Sequence, residues 1–508
     1  MKKQLFCAKR NLLHGSLAFR ISWLRELGGS GFRRKFLLAL VLPVFVAFFV
    51  ILLHGQEQGA SSQEFNLTMV GDSEIVTPAT VHQNNPRFMA VVNAVRQGDA
   101  AFTNLEEALA FSPNAYPAPV YAGRGQWHPA VPASLKQLQW MGFNLFGVAN
   151  NHSMDYGIQG LLDTLQVLKQ GDAVYAGIGE TLGEARAPGY LSTPHGRVAL
   201  ITCASFFPDD SPAEDARSDM RGRPGINPLH HETVIRVDAS RFEALRKIKN
   251  DLKLGPGGGE SNQSGETGSG LPQTLRISFE GGSPVTFELS DKPGVVTRPD
   301  PKELAALTHS IRDARALADY VVASIHAHEG APGPNPLETP AQFVELYAHA
   351  AVDAGADVFV GNGPHVLRGI EIYKGKVILY SLGNFIFENW LMVPEPTEYY
   401  EKFGLGPEAL PSEVYDARSD HGRRDEPANP LYWQAVVARV TFHDGRPAVV
   451  TLTPFTTGFG KKAPDQGYPE VPDLPKATQI LEHLQQVSEP YGTKIAISNG
   501  VGTITIQK

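Results

Sequence analysis

The sequence predicts an α/β layered domain, and three observations carry that expectation. Short apolar runs alternate with amphipathic stretches from about residue 64 onward. The 508 residues are 42% hydrophobic and 19% charged, which suits a folded body of one large domain or two smaller ones. Acids, amides and imidazoles recur at the ends of the apolar runs, the edge where α/β sheets hold ligands.

Ahead of that body lies a different kind of chain. Residues 1–35 hold nine Lys or Arg and one acid, Glu26, for +8; the whole chain is −8, so residues 36–508 carry −16. An acidic body argues against a nucleic-acid partner. Residues 36–53 are eighteen uncharged apolar residues. At 1.5 Å per residue they span about 27 Å, close to the hydrocarbon thickness of a bilayer. The basic flank comes first, which predicts a single-pass transmembrane signal-anchor with residues 1–35 as a cytoplasmic tail and the body on the extracytoplasmic side. The rival is a cleaved signal peptide and a secreted or periplasmic body. Cys7 and Cys203 would then face different compartments, so no disulfide framework is expected, and Cys203 reads as a small core residue.

Within the body the elements alternate. Asn66–Val70 reads as a strand, Pro86–Gln97 as a helix, and Ala100–Thr103 as a second strand. Pro132–Met141 has Leu135, Leu138 and Met141 at helical spacing and leads into the Phe143–Val148 strand. Leu161, Leu162, Leu165 and Leu168 mark a further helix, followed by strands at Ala173–Ile178 and Arg197–Ser205. Segments near 207–300 and 388–431 break the pattern and read as insertions, the second lid-like. Within the first, Gly255–Gly270 is low-complexity, and Arg276–Leu289 reads as a hairpin. Order returns with a helix at Leu304–Leu317, a strand at Tyr320–Ile325, a helix at Thr339–Ala354 with Pro340 in its first turn, and a strand at Ala356–Val360. Hairpins follow at Gly369–Phe387 and about Asp444-Gly445. The main domain is expected over 64–460, with a helix and strand extension over 461–508.

The strand ends carry the chemistry. Asp72, Glu106, Asn151 with His152, His326 and His365 each follow an apolar run. Singly, each is as well explained as a turn or cap residue. In series, at one end of successive strands, they suggest a ligand cleft. Mixed oxygen and nitrogen donors favour a divalent Mn, Fe or Zn ion over calcium. His326 and His328 lie on one face of an extended backbone, so both can meet one ion. His152, in the loop with Asn150 and Asp155, is the candidate proton donor.

These residues sit in blocks that resemble a known family. Gly71-Asp72, Asn104-Leu105-Glu106, A-N-N-H-x-x-D-Y-G over 149–157, S-I-H-A-H-E over 324–329 and the run from Gly363 to Phe385 closely resemble the CapA-type bacterial capsule synthesis family, tied to poly-γ-glutamate synthesis and export. The resemblance implies a calcineurin-like metallophosphoesterase architecture, a four-layer α/β/β/α sandwich, here with an N-terminal transmembrane helix. It implies metal ligands at Asp72, Glu106, Asn151, His326 and His365, and a catalytic His152 with Asp155. Asn150, His328, Glu329 and Asn384 are expected to meet substrate. Gly363 stands where the family often has an imidazole, and His328 or Glu329 is the candidate replacement ligand. Two readings follow. One is a metal-dependent hydrolase acting on a phosphoester or polymer. The other is a non-catalytic subunit that holds a polyanionic polymer or a capsule synthesis partner at the membrane.

Overall fold

The computed structural model describes residues 64–109, 114–119, 125–254, 273–278 and 284–507. The 36–53 segment, Cys7 and Gly255–Gly270 lie outside them. Among the described residues no helix is long and apolar enough to cross a membrane.

Two sheets face one another. The first runs, in hydrogen-bonded order, Ala496–Ser498, Val501–Thr505, Arg446–Thr456, Gln434–His443, Glu64–Glu74, Ala100–Leu105, Leu145–Gly147 and Val174–Ala176, with Asn384–Phe387 pairing beside Glu64–Glu74. The second runs Leu367–Tyr373, Lys376–Leu382, Val358–Asn362, Tyr320–His326, Gly196–Ala204 and Gly189–Thr193. Alternation of side chains along each strand decides which core each residue enters. Leu67, Met69 and Phe102 of the first sheet pack with Leu200, Val322 and Val360 of the second. Their neighbours Val70, Ala101 and Phe146 turn the other way, against Phe88, Leu135 and Leu165 of three helices. On the far face of the second sheet, Ile201, Val321 and Phe359 meet Leu307 and Ile311 of the Pro301–Leu317 helix, and Phe343 and Tyr347 of the Gln342–Ala354 helix. The layers are therefore helix, sheet, sheet, helix, as the α/β expectation required.

Local chemistry explains where the elements start. The Pro86–Val95 helix opens on Asn85, whose side chain accepts from the Arg87 and Phe88 N–H groups. Asp300 does the same for Lys302 and Glu303, with Pro301 at the first helical position. The helix expected from Thr339 starts later, at Gln342. Pro340 instead forms a bridge with Gly330, so its fixed backbone serves a turn out of the site loop.

Three other segments differ from their sequence reading. The 207–300 segment is largely ordered. It builds its own four-stranded sheet, Thr274–Ile277, Val285–Leu289, His231–Val237 and Gly294–Pro299, with the expected hairpin inside it. The 388–431 segment carries short helices at Thr397–Lys402 and Pro411–Ser419. They pack through Met392, Tyr399, Val414 and Tyr415 onto Trp127. Residues past 461 complete the main core, with Ile480, Leu481, Leu484 and Ile504 between the sheets and the Leu474–Ser488 helix. Cys203 is buried in the second sheet's outer core.

Candidate metal centre

Parallel strands from both sheets end at one place. Asp72 and Glu74 close the Glu64–Glu74 strand, and Asn104 and Glu106 lie at the end of Ala100–Leu105. Across the interface, His326 closes Tyr320–His326, and His365 follows Val358–Asn362. Asp72 registers with Asn104 on one side and Asn384 on the other. The ladder slips between Met69 and Asp72, an irregularity that re-aims side chains near sites. Gly71 is required there: a Cβ would run into the carbonyl oxygen of Gly383. The Asp72 N–H bonds that same oxygen at 3.3 Å.

Two sets of ligand atoms gather, each within 4.8 Å: Asp72, Glu106 and His326, and Glu106, His328 and His365. Glu106 is shared. Its Oε1 lies 3.4 Å from His326 Nε2, 3.8 Å from His365 Nε2 and 4.0 Å from His328 Nε2. His326 and His328 thus fall into different sets, their Nε2 atoms 3.0 Å apart. His328 joins the second of these sets, and Glu329 joins neither. No side chain fits at Gly363, where φ is +106° and a Cβ would lie 2.9 Å from the Ala327 nitrogen. The Gly363 N–H instead donates to Asp72 Oδ2 at 3.0 Å.

Burial decides the charge state of this cluster. It raises the Asp72 carboxyl, and it raises Glu106 well above the usual range, reinforced by Asp72 and Glu74. It also drives the imidazoles of His326 and His328 well below theirs, helped by the neighbouring rings. These contacts therefore bring neutral groups face to face rather than forming ion pairs. Both Glu106 oxygens are buried without a hydrogen-bond partner, as is Asn151 Oδ1. A buried carboxylate in that state costs several kcal/mol unless a cation or donor meets it. Two carboxylates, imidazoles and an amide oxygen around such orphans fit divalent cations of the Mn, Fe or Zn kind.

A cavity of about 420 Å³ opens over the cluster, lined by Asn151, His152, His328 and His365. Asp72, Glu106 and His326 lie fully buried behind them. His152 Nδ1 donates to Asp155 Oδ2 at 2.7 Å. His128 stacks on His152, rings 3.4 Å apart, and donates from Nδ1 to the Glu106 carbonyl. Its main-chain N–H also bonds Asp155 Oδ2. Burial pushes His128 well below its usual pKa, so it stays neutral.

Three residues expected to meet substrate also make protein contacts of their own. Asn150 is buried, donating to the Leu105 carbonyl and accepting from the His152 N–H and Ser153 hydroxyl; it shapes the loop, as the Asx-turn reading held. Glu329 accepts from Ser205 and faces His231. Asn384 Oδ1 accepts from His365 Nδ1 at 2.8 Å and orients that ring. Of that group only His328 lines the cavity.

Other residues were missed. Asn104 donates to Asp72 Oδ1 at 2.8 Å and lies 3.2 Å from His326 Nδ1, tying the sheets together. Glu74 lines the cavity. Both sit two residues from a recognised ligand on an extended strand, and that parity was readable. His128 had no such signal, since it lies in a Pro- and Gly-rich loop.

Comparison with known proteins agrees with this geometry. A family model described as bacterial capsule synthesis protein PGA_cap matches residues 54–389. The chain is 35% identical over 452 residues to protein y4uA of Sinorhizobium fredii, covering 87% of this chain and 93% of that one. It is 25% identical to the capsule biosynthesis protein CapA of Bacillus anthracis, over 51% of this chain and 44% of that protein. It is 26% identical to the PGA biosynthesis protein CapA of Bacillus subtilis, over 58% of this chain and 56% of that protein. The chain thus spans about half the length of the two Bacillus relatives. With a family match across most of the body that includes every strand end of the cluster, this chain belongs to the CapA-type bacterial capsule synthesis family.

Proposed function

We propose that this chain acts in capsule or poly-γ-glutamate synthesis as a metal-dependent, hydrolase-type protein. It is anchored by residues 36–53 with its body on the extracytoplasmic side, beside the polymer-forming machinery. The observation that carries the catalytic part is Glu106. Its two unpartnered buried oxygens lie where two ligand sets meet, next to a His–Asp pair in the same cavity. Kinship with proteins named for capsule and PGA biosynthesis supports the pathway.

Asp72, Glu106 and His326 would hold one cation, and Glu106, His328 and His365 a second, with Asn151 beside them. Bound cations of this kind supply Lewis-acid polarisation of a phosphoryl or carbonyl oxygen and of water. The protein groups do the rest. Asn104 and Asn384 hold His326 and His365 in orientation. Asp155 fixes the His152 tautomer, so Nε2 can deliver a proton to a leaving oxygen or nitrogen. The neutral His128 ring packs on His152 and limits its movement. The 388–431 segment lines one side of the cavity through Asn389, Tyr399, Phe403, Arg418 and Glu426.

Elemental analysis of the purified chain, paired with hydrolysis of a phosphoester and γ-glutamyl panel, tests this. Bound ion near stoichiometry, and a loss of about 10²-fold or more in kcat for His152→Ala, is the expected result. No bound ion, or unchanged turnover in that variant, refutes it. Gly363 favours a second reading, a non-catalytic polymer-holding subunit, because an imidazole is sterically barred there. Restoration of polymer export by an Asp72→Ala/His152→Ala double variant would select that reading.

A further inference from the structure

We infer that Arg368 is a positioning residue for the second cation: by holding the main chain of His328, it places that imidazole in the set with Glu106 and His365. This rests on the metal-dependent reading above and adds what shapes the second half of the centre.

His328 differs from the other imidazoles of the cluster. The strand that delivers it ends at His326, so His328 sits on the loop that follows. A loop aims a side chain less firmly than a strand does. Asn104 lies against His326 Nδ1, and Asn384 accepts from His365 Nδ1. Among the described residues no side chain bonds His328 Nδ1. Its ring meets His326 through Nε2 at 3.0 Å and packs on the exposed Phe206, centroids 4.5 Å apart. The orientation that the other two rings take from a side-chain partner has to come here from the main chain.

Arg368 holds that main chain. It projects from the Leu367–Tyr373 strand and is 1% exposed. Its Nε donates to the Leu337 carbonyl at 3.0 Å and its Nη2 to the His328 carbonyl at 3.4 Å. Those carbonyls lie on the two limbs of one loop. The Gly330–Pro340 bridge joins the limbs, as does the Ala331 N–H on the Thr339 carbonyl at 2.9 Å. His328 and Leu337 both line the cavity, so one planar fork spans the loop where it meets the site. Arg368 makes no ion pair among the described residues. Glu329, the acid whose charge acts on it, accepts from Ser205 and faces His231. Burial lowers the Arg368 pKa only to about 10, so its charge persists at neutral pH. Burying a guanidinium on carbonyls alone is costly, and packing by itself is met better by an apolar chain. What the guanidinium adds is two directed bonds, one of them to the residue that bears the loop imidazole.

Calorimetric titration of the ion-free, full-length chain with Mn²⁺ tests this in wild type, Arg368→Met and Arg368→Lys. Wild type should take up two ions. Arg368→Met fills similar space without donors, and its affinity for one of the two ions should fall roughly tenfold or more while the other stays unchanged. Arg368→Lys keeps the charge but reaches one carbonyl, and should recover part of that loss. Adding His328→Ala to Arg368→Met should cost less than His328→Ala costs alone, since both act on one ion. An arginine that only stabilises the fold would lower the unfolding temperature of Arg368→Met and leave the ratio of the two affinities as in wild type. That result, or an equal fall in both affinities, overturns the assignment. If Arg368→Met does not fold, Arg368→Lys against wild type decides by the same ratio. A wild type that binds one ion removes the second set and this role with it, but leaves a one-ion hydrolase standing. A wild type that binds none removes both readings.

Discussion

Glu106 is the residue on which the site turns, because burial and function oppose each other there. Its carboxyl is raised by burial and by Asp72 and Glu74, and its oxygens have no hydrogen-bond donor within bonding geometry. Replacing it with Gln removes a charge that the ion-free protein can stabilise only poorly. Glu106→Gln is therefore expected to be more stable than wild type without metal, by roughly 1–3 kcal/mol. It should lose the stabilisation that Mn²⁺ gives wild type. Thermal unfolding of both proteins with and without ion checks this, and a less stable ion-free variant would count against the assignment. The residues of the two candidate ligand sets were legible because most of them follow an apolar run. Glu74 and Asn104 share the strand face of Asp72 and Glu106 by the two-residue alternation of extended chain. His128 was concealed by physics: an irregular loop has no period, and only packing brings its ring onto His152.

At the scale of elements, two contacts invite measurement. The Glu64–Glu74 strand and the turn into Asn384–Phe387 touch through Gly71 and Gly383. Gly71→Ala must push them apart and carry Asp72 with them. A loss of roughly 1–3 kcal/mol in stability is expected, and ion affinity should fall in isothermal titration. The lid offers a pH-dependent contact. Glu395 accepts from the Trp127 N–H and from Tyr415, and burial holds its carboxyl up at about 8. A carboxyl raised on folding contributes stability that is fully present below its ordinary value of 4.5 and lost as pH rises toward about 8. Hydrogen exchange across 388–431 should therefore quicken, beyond the intrinsic rate, as pH rises through that window. In Glu395→Gln, which keeps the acceptor and cannot ionise, that extra dependence should vanish. Neither the lid's packing nor the small sheet within 207–300 was legible. Both are built from short segments whose apolar residues, such as Trp127 with Tyr399 and Val414, are far apart in sequence.

For the molecule as a whole, the ion and the anchor are the open terms. A ligand that binds only the folded state stabilises it by about 2.7 kcal/mol at a hundredfold excess over Kd. Mn²⁺ at that level should raise the unfolding temperature of wild type and leave Asp72→Ala/His365→Ala unmoved. If residues 36–53 anchor the chain, mass spectrometry of the membrane fraction will find residues 1–35 attached; a mature start beyond residue 53 would show cleavage. The sequence by itself determined the layered α/β class, the order of the principal strands, the three hairpins and the residues at the strand ends. It could do so because periodicity and turn chemistry are local. Only the tertiary structure decided that Glu106 is shared by two candidate ligand sets, that His328 but not Glu329 joins one of them, and that Asn150 and Asn384 bond their neighbours. Those outcomes depend on two sheets packing face to face, on distances between residues some two hundred positions apart, which no local pattern encodes.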